Sequence, residues 1–96
     1  MKAVFTAAAL GDLAEIAAWL STHYPSLGPA VEQRIRQVVS IIERWPESAP
    51  RSGNRPGVRV ASIGKYPYRI FYRVAGDRIE ILHIHHAARR PWDEQA

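Results

Sequence analysis

Cysteine is absent from the chain, so neither a disulfide framework nor a thiolate metal site can support its structure. No apolar run approaches the roughly 18 residues that a membrane-spanning helix requires. The apolar start, Met1–Leu10, leads directly into Asp12 and Glu15 at helical spacing, which is unlike a signal peptide. The reducing cytoplasm is therefore the location that we expect for this protein.

The motifs of several common enzyme classes are also missing. The chain has no glycine-rich phosphate-binding loop, no GxSxG elbow and no HExxH helix. The sequence therefore gives no support to nucleotide hydrolysis, to a serine hydrolase or to a zinc metalloprotease of the HExxH type.

Acidic residues are scarce in the second half of the chain. Residues Ala49–Ala96 include nine basic and four acidic side chains, whereas Met1–Ser48 holds four basic and five acidic ones. Eleven of the 13 basic residues are arginine, whose guanidinium group favours bidentate contacts with phosphate or carboxylate. A nucleic acid or an acidic protein segment is therefore the expected partner.

The apolar patterns predict a single α+β domain over residues 1–96. Period-two patterns indicate strands, helical spacing indicates helices, and segments rich in proline and glycine separate them. The predicted elements are a strand (Lys2–Phe5), two helices (Ala7–Tyr24 and Gly28–Trp45) and three strands (Val58–Ile63, Tyr68–Val74 and Arg78–His86). Short connections favour an antiparallel meander for the last three strands, in one sheet with a helical hairpin packed on its face.

Strand alternation sorts the side chains of the last two strands onto two faces. In the first of them, the face under the helices is predicted to carry Tyr68, Ile70, Tyr72 and Val74, and the open face Arg69, Phe71 and Arg73. The final strand is predicted to place Ile79, Ile81, His83 and His85 on one face and Glu80, Leu82, Ile84 and His86 on the other. Apolar residues on both of its faces indicate an interior position in the sheet.

Arginines and histidines near the end of the chain are the candidate functional residues. His85 and His86 lie where the last strand should leave the sheet, and an imidazole can serve as a general acid or base near neutral pH. We expect Arg69 to gather with them on one side of the sheet. Arg69 and Arg73 lie about 13 Å apart along an extended strand, a spacing that suits contacts with successive phosphates. The alternative is that these side chains are solvated or packed residues without a functional role.

The C-terminal tail adds two arginines and an indole. Arg89, Arg90 and Trp92 suit a phosphate clamp with a base-stacking platform, although Trp92 covering the edge of the core explains the pattern equally well. Arg59 either extends this positive surface or is a solvated loop residue.

His83 and His85 have the spacing of two imidazoles on one strand face that share a metal ion. Zinc usually takes a third protein ligand, and the sequence places no cysteine and no obvious acidic partner beside them. We therefore expect no metal and no other cofactor.

Three segments in this order resemble the RelE/ParE superfamily of type II toxin–antitoxin toxins, also called plasmid stabilisation proteins. They are Ala9–Ile16 after the opening strand, Tyr68–Val74, and Ile79–His86 leading into Arg89-Arg90-Pro91-Trp92. The resemblance covers nearly the whole chain and implies a small basic toxin that inhibits growth and is neutralised by a cognate antitoxin in a hetero-oligomer. Members like RelE cleave messenger RNA in the ribosomal A site, and members like ParE poison DNA gyrase.

The resemblance also implies site residues. Arg69 matches the strand arginine of the RelE-like branch, Arg59 stands where that branch has a lysine, and Arg89 matches its C-terminal arginine. The predicted catalytic residues are His85, His86, Arg69 and Arg89, and those predicted to bind the target are Arg59, Arg73, Arg90 and Trp92. As a further hypothesis, Arg69 or Arg73 pairs with antitoxin carboxylates.

Two departures from the RelE-like pattern bear on the target. The Val58–Ile63 strand lacks a lysine pair, and the tail has Trp92 where a terminal tyrosine is expected. These departures favour a ParE-like gyrase poison. The histidine cluster keeps a RelE-like, ribosome-dependent mRNA endoribonuclease as the alternative, and a non-toxic homologue that only binds its antitoxin is a third hypothesis. No membrane partner is expected.

Overall fold

One strand, two helices and three further strands follow each other along the chain. The computed structural model describes residues 1–53 and 55–87. Its elements are β1 (Lys2–Phe5), α1 (Ala7–His23), a 3₁₀ turn (Pro25–Leu27), α2 (Gly28–Arg44), β2 (Val58–Ser62), β3 (Tyr68–Ala75) and β4 (Arg78–His86). The predicted α+β architecture is confirmed, and the predicted elements end within a residue of the observed ones.

The start of α1 is tied to the sheet by its N-cap residue. Thr6 has extended backbone angles, and its Oγ1 accepts a hydrogen bond from Ala9 N at 3.2 Å. The same hydroxyl donates to Ile81 O in β4 at 2.9 Å. The helix ends at His23, just before Pro25, because proline cannot continue the hydrogen-bond ladder. The start of α1 is thus fixed against the middle of β4 by the N-cap residue that precedes the helix.

The four strands form one mixed sheet in the order β1-β4-β3-β2. The predicted antiparallel meander of β2, β3 and β4 is confirmed. β1 pairs with β4 in parallel, from Lys2 opposite Arg78 to Phe5 opposite Ile81. The sheet is therefore not purely antiparallel, because the two-helix connection after β1 lets that strand run in the same direction as β4.

A β-bulge in β4 changes which side chains share a face. Tyr72 is the partner of Ile81, but the next residue back along β3, Phe71, is the partner of His83. Leu82 is thus an extra residue without a partner on β3, and the side-chain alternation of β4 shifts there by one. The prediction that Ile79, Ile81, His83 and His85 share a face is therefore wrong.

The helices and the sheet enclose one hydrophobic core. The helices contribute Ala9, Leu20, Val31, Ile35, Val38, Val39 and Ile42, and the sheet and its adjoining turn contribute Ala61, Ile63, Tyr68, Ile70, Tyr72, Ile79, Ile81 and Ile84. Val74, which was predicted to lie under the helices with Tyr72, is instead 41 % exposed. Among the helices of the described part of the chain, none is long and apolar enough to cross a membrane.

We expect the fold to lose stability in alkaline solution through Tyr72. Its hydroxyl donates to Pro46 O at 2.8 Å. Burial raises the pKa of the Tyr72 phenol above its usual value, against smaller opposing effects of the Ala49 backbone and the Arg59 guanidinium. The pKa of Tyr72 is higher in the folded chain than in the unfolded one. The contribution of Tyr72 to the free energy of unfolding is therefore complete below about pH 10, and it is lost as the pH rises through the pKa in the folded chain.

Urea unfolding measured from about pH 8 to pH 11 tests this expectation. The comparison is Tyr72→Phe, which keeps the ring and lacks the ionisable hydroxyl. The variant should be less stable by about 0.5–1.5 kcal/mol at neutral pH, because the bond to Pro46 is lost. Its stability should fall less steeply above about pH 10 than that of the unmodified chain. Parallel alkaline curves for the two proteins would contradict the assignment to Tyr72.

Candidate arginine–histidine site

Arg69 and His85 are cross-strand neighbours on the face of the sheet away from the helices. They are Cα partners in the β3–β4 ladder, so their side chains leave the sheet on the same side. Arg69 Nη2 donates to Ala87 O at 3.2 Å. The His85 ring lies 5.7 Å from the Phe71 ring, centroid to centroid, and Phe71 is only 3 % exposed. Arg69 therefore lies beside one C-terminal histidine, His85, as the sequence predicts. The buried Phe71 ring lies next to the His85 ring.

Asp12 joins this site from α1. Its Oδ2 atom lies 3.0 Å from His83 Nδ1 and 3.7 Å from His85 Nε2. The same oxygen accepts a hydrogen bond from Ile84 N at 3.0 Å. The side chains of Asp12, His83 and His85 are each about one-fifth exposed, so water reaches all three.

The free edge of β4 explains why Asp12 is there. The last residue of β1, Phe5, pairs with Ile81, so beyond this point the edge of β4 has no neighbouring strand. Its backbone amides need acceptors, and the first turns of α1 bring Asp12 against Ile84 N. Because the bulge turns His83 and His85 away from the core, both imidazoles reach the same carboxylate. Sequence analysis missed Asp12, since an acidic residue beside the apolar stripe of a helix carries no signal of this contact.

His86 lies on the other side of the sheet from His85. It pairs with Tyr68, a core residue, and the two rings meet edge to face with centroids 5.4 Å apart. His86 lines a cavity of about 270 Å³ under α1 that Ile16 and Trp19 also line. The expectation that both terminal histidines gather with Arg69 on one side is therefore wrong for His86, because adjacent strand residues point to opposite faces.

Arg73 also lies on the open face, but its guanidinium is engaged. Arg73 Nε lies 2.8 Å from Glu80 Oε1, and Arg78 Nη2 lies 3.1 Å from Glu80 Oε2. Hydrogen bonds from Arg73 and then from Arg78 hold the pKa of the Glu80 carboxyl below its usual value. The positive charge of Arg73 is thus partly neutralised within the sheet.

Arg59 holds a loop in place. Its Cα partner across the β2–β3 pair is Tyr72, so the side chain leaves the sheet on the helix side. Arg59 Nη1 donates to Ala49 O at 2.8 Å and to Glu47 O at 3.1 Å. The structure therefore places Arg59 apart from the Arg69–His85 pair. Three further residues that sequence analysis singled out, Arg89, Arg90 and Trp92, lie outside the described residues.

The geometry provides the elements of proton transfer. A carboxylate (Asp12) contacts two imidazoles (His83 and His85), and a carboxylate in this position orients an imidazole. A guanidinium (Arg69) on the neighbouring strand can stabilise negative charge that develops beside His85. The described site can thus bind an anion and exchange a proton.

Comparisons with known proteins agree with the fold. Residues 3–91 match the family described as the ParE toxin of the type II toxin–antitoxin system parDE. A structure titled "Chromosomal ParDE TA system from P. aeruginosa" is 27 % identical, covering 90 % of this chain and 95 % of that chain, with a TM-score of 0.80. The isolated E. coli RelE toxin is 15 % identical, over 98 % of this chain and 92 % of its own, with a TM-score of 0.68.

A third structure, a YoeB/ParE toxin from Agrobacterium tumefaciens, is 20 % identical over 90 % of this chain and 98 % of its own, with a TM-score of 0.61. A search of curated protein sequences gave no significant match. At their low identity, the RelE and YoeB/ParE structures show a common fold alone, whereas the family match spans nearly the whole sequence. The chain belongs to the ParE toxin family of type II toxin–antitoxin systems.

Proposed function

We propose that this toxin arrests growth by poisoning DNA gyrase and that a cognate antitoxin neutralises it. The observation that carries the proposal is the match to the ParE toxin family over residues 3–91. The protein would act in the cytoplasm, where gyrase works on the chromosome, and its gene would serve plasmid stabilisation if a plasmid carries the module.

In the described part of the chain, Arg59 and Arg73 do not join Arg69 beside His85. In RNA cleavage, cationic groups stabilise the phosphate as it becomes more negative in the transition state. In the described part of the chain, Arg73 is paired with Glu80 and Arg59 with loop carbonyls on the other side of the sheet. Among the arginines predicted to contact the target or take part in catalysis, this leaves Arg69 beside His85 in the described residues.

The alternative function is a ribosome-dependent mRNA endoribonuclease. The contact of Asp12 with His85, opposite Arg69, specifically favours it. In that mechanism, His85 takes the proton from a ribose 2′-OH, the 2′ oxygen attacks the adjacent phosphorus, and the 5′ oxygen leaves with a proton from a second group. Arg69 would stabilise the charged phosphorane.

Purified protein distinguishes the two functions. We expect gyrase supercoiling to stop and cleaved DNA to accumulate when the toxin is added, while mRNA on translating ribosomes stays intact. Codon-sized cuts in mRNA that disappear in Arg69→Ala and His85→Gln would overturn the proposal in favour of the nuclease. Arg36→Ala is the matched control, because Arg36 is an exposed arginine on α2.

Expression in cells separates both functions from the third hypothesis. Induction of the toxin alone should arrest growth with DNA damage, and coexpression of the antitoxin from the neighbouring reading frame should restore growth. Harmless overexpression together with intact gyrase activity would leave antitoxin binding as the function of this chain.

The antitoxin would bind the groove between the two helices. A cavity of about 730 Å³ lies between α1 and α2, and its walls include Leu10, Leu13 and Ala17 on α1 and Val31 on α2. Glu32 and Arg36 stand at its rim. An amphipathic helix can place its apolar face in such a groove and its charged residues against the rim.

A further inference from the structure

Asp12, His83 and His85 converge on a small volume at the end of β4. Each offers one ligand atom, and the three atoms all lie within 4.8 Å of one another. The acidic residue comes from α1, 71 residues before His83. The third ligand that the sequence did not place beside His83 and His85 is therefore supplied by the tertiary structure.

Two of the three distances are close to those between ligands of a tetrahedral metal ion. With bonds of about 2.0–2.1 Å, two ligands of a tetrahedral zinc ion lie about 3.3–3.4 Å apart. Asp12 Oδ2 is 3.0 Å from His83 Nδ1 and 3.7 Å from His85 Nε2. Shifts of a few tenths of an ångström would thus bring both pairs to the required separation, and the two imidazoles, within 4.8 Å of each other, would close on the ion by rotating their side chains.

The surroundings of the three side chains also favour a metal. The Asp12 carboxylate is already oriented by the hydrogen bond from Ile84 N, and a carboxylate oxygen has lone pairs for both that amide and an ion. His85 is held on its other side by the Phe71 ring. The partial exposure of all three ligands provides a path for the ion to enter.

The donor set indicates which ions bind. Two imidazoles and one carboxylate suit zinc, cobalt and nickel, whereas magnesium and calcium prefer oxygen ligands alone. Arg69 on the neighbouring strand adds a positive charge. This charge weakens the electrostatic attraction on which magnesium and calcium binding would depend. We propose that Asp12, His83 and His85 bind one divalent transition-metal ion, with zinc the best fit, in a site that clamps α1 to the end of β4.

Metal binding at this site would stabilise the fold whichever cellular target the toxin has. An ion that binds the folded chain and not the unfolded one stabilises the fold by linkage, so the connection between α1 and β4 would tighten when zinc is present. The three protein ligands leave a fourth position for water or for a donor from a partner. A metal-bound His85 would also be removed from acid–base chemistry.

Calorimetric titration of the untagged full chain with zinc, after dialysis against a chelator, tests the proposal. We expect one ion per chain, a Tm that rises with zinc concentration, and no such effect of magnesium. Asp12→Asn, His83→Gln and His85→Gln should each weaken zinc binding by at least about tenfold. His23→Gln should bind zinc like the unmodified chain, because His23 is an exposed histidine at the end of α1.

Cobalt provides a second measurement on the unmodified protein, in case a variant fails to fold. Tetrahedral cobalt absorbs strongly in the visible range, and zinc should displace it and remove the colour. The proposal is overturned if zinc does not saturate the chain below about 1 mM. It is overturned equally if bound cobalt lacks the tetrahedral spectrum, or if His23→Gln loses the ion while the three ligand variants keep it.

Discussion

Replacing Ile81 with alanine is expected to lower the free energy of unfolding by about 2–5 kcal/mol. Ile81 has no exposed surface and lies in β4 between Phe5 of β1 and Tyr72 of β3. Removing its side-chain carbons leaves a cavity in the middle of the sheet, which the neighbouring strands cannot fill without breaking their ladders.

The loss would be a large fraction of the whole stability, because domains of this size are stable by only about 5–15 kcal/mol. Thermal or urea unfolding measures it, and each kcal/mol corresponds to about 4–8 °C in Tm. Val74→Ala is the matched control: Val74 lies in the adjacent strand and is 41 % exposed. Its replacement should cost no more than about 0.5 kcal/mol. Equal losses for the two variants would contradict the described core.

Leu10→Asp is expected to weaken antitoxin binding by about 100-fold while the toxin stays folded. Leu10 is 55 % exposed on α1 and lines the groove between the helices. Its replacement therefore removes little buried area from the fold, but it places a carboxylate where the apolar face of an antitoxin helix would lie. Burying that charge without a partner is costly, and apolar anchors at the centre of an interface carry most of its binding energy.

A binding titration with the purified cognate antitoxin measures the change, and circular dichroism checks the fold. Ile41→Asp is the control, because Ile41 is a similarly exposed apolar residue (45 %) that lies on α2 outside the groove. It should bind the antitoxin as the unmodified chain does. If Ile41→Asp weakens binding and Leu10→Asp does not, the antitoxin occupies another surface.

The boundaries of the elements could be predicted because their signals are local. Thr6 caps the first helix through its own side chain, and Pro25 ends it by lacking an N–H. Gly76 has a positive φ of 65°, which allows the tight turn between β3 and β4. Each of these effects depends on residues within a few positions along the chain, so the sequence contains them in full.

The faces of β4 could not be predicted by the same rule. Alternation holds only while each residue of β4 has a partner on β3, and Leu82 has none. The extra residue moves His83 and His85 to the open side and returns Ile84 to the core. A strand pattern of apolar residues on both faces does not reveal where such an extra residue lies.

The amino-acid sequence by itself determined the α+β class, the order of the elements and their boundaries. Only the tertiary structure decided that β1 runs parallel to β4, that His83 and His85 lie on the open side of the sheet, and that Asp12 meets His83. The reason is that the first group follows from hydrogen bonding and apolar spacing within short segments. The second group depends on contacts between strands and between α1 and β4, which join residues up to 76 positions apart.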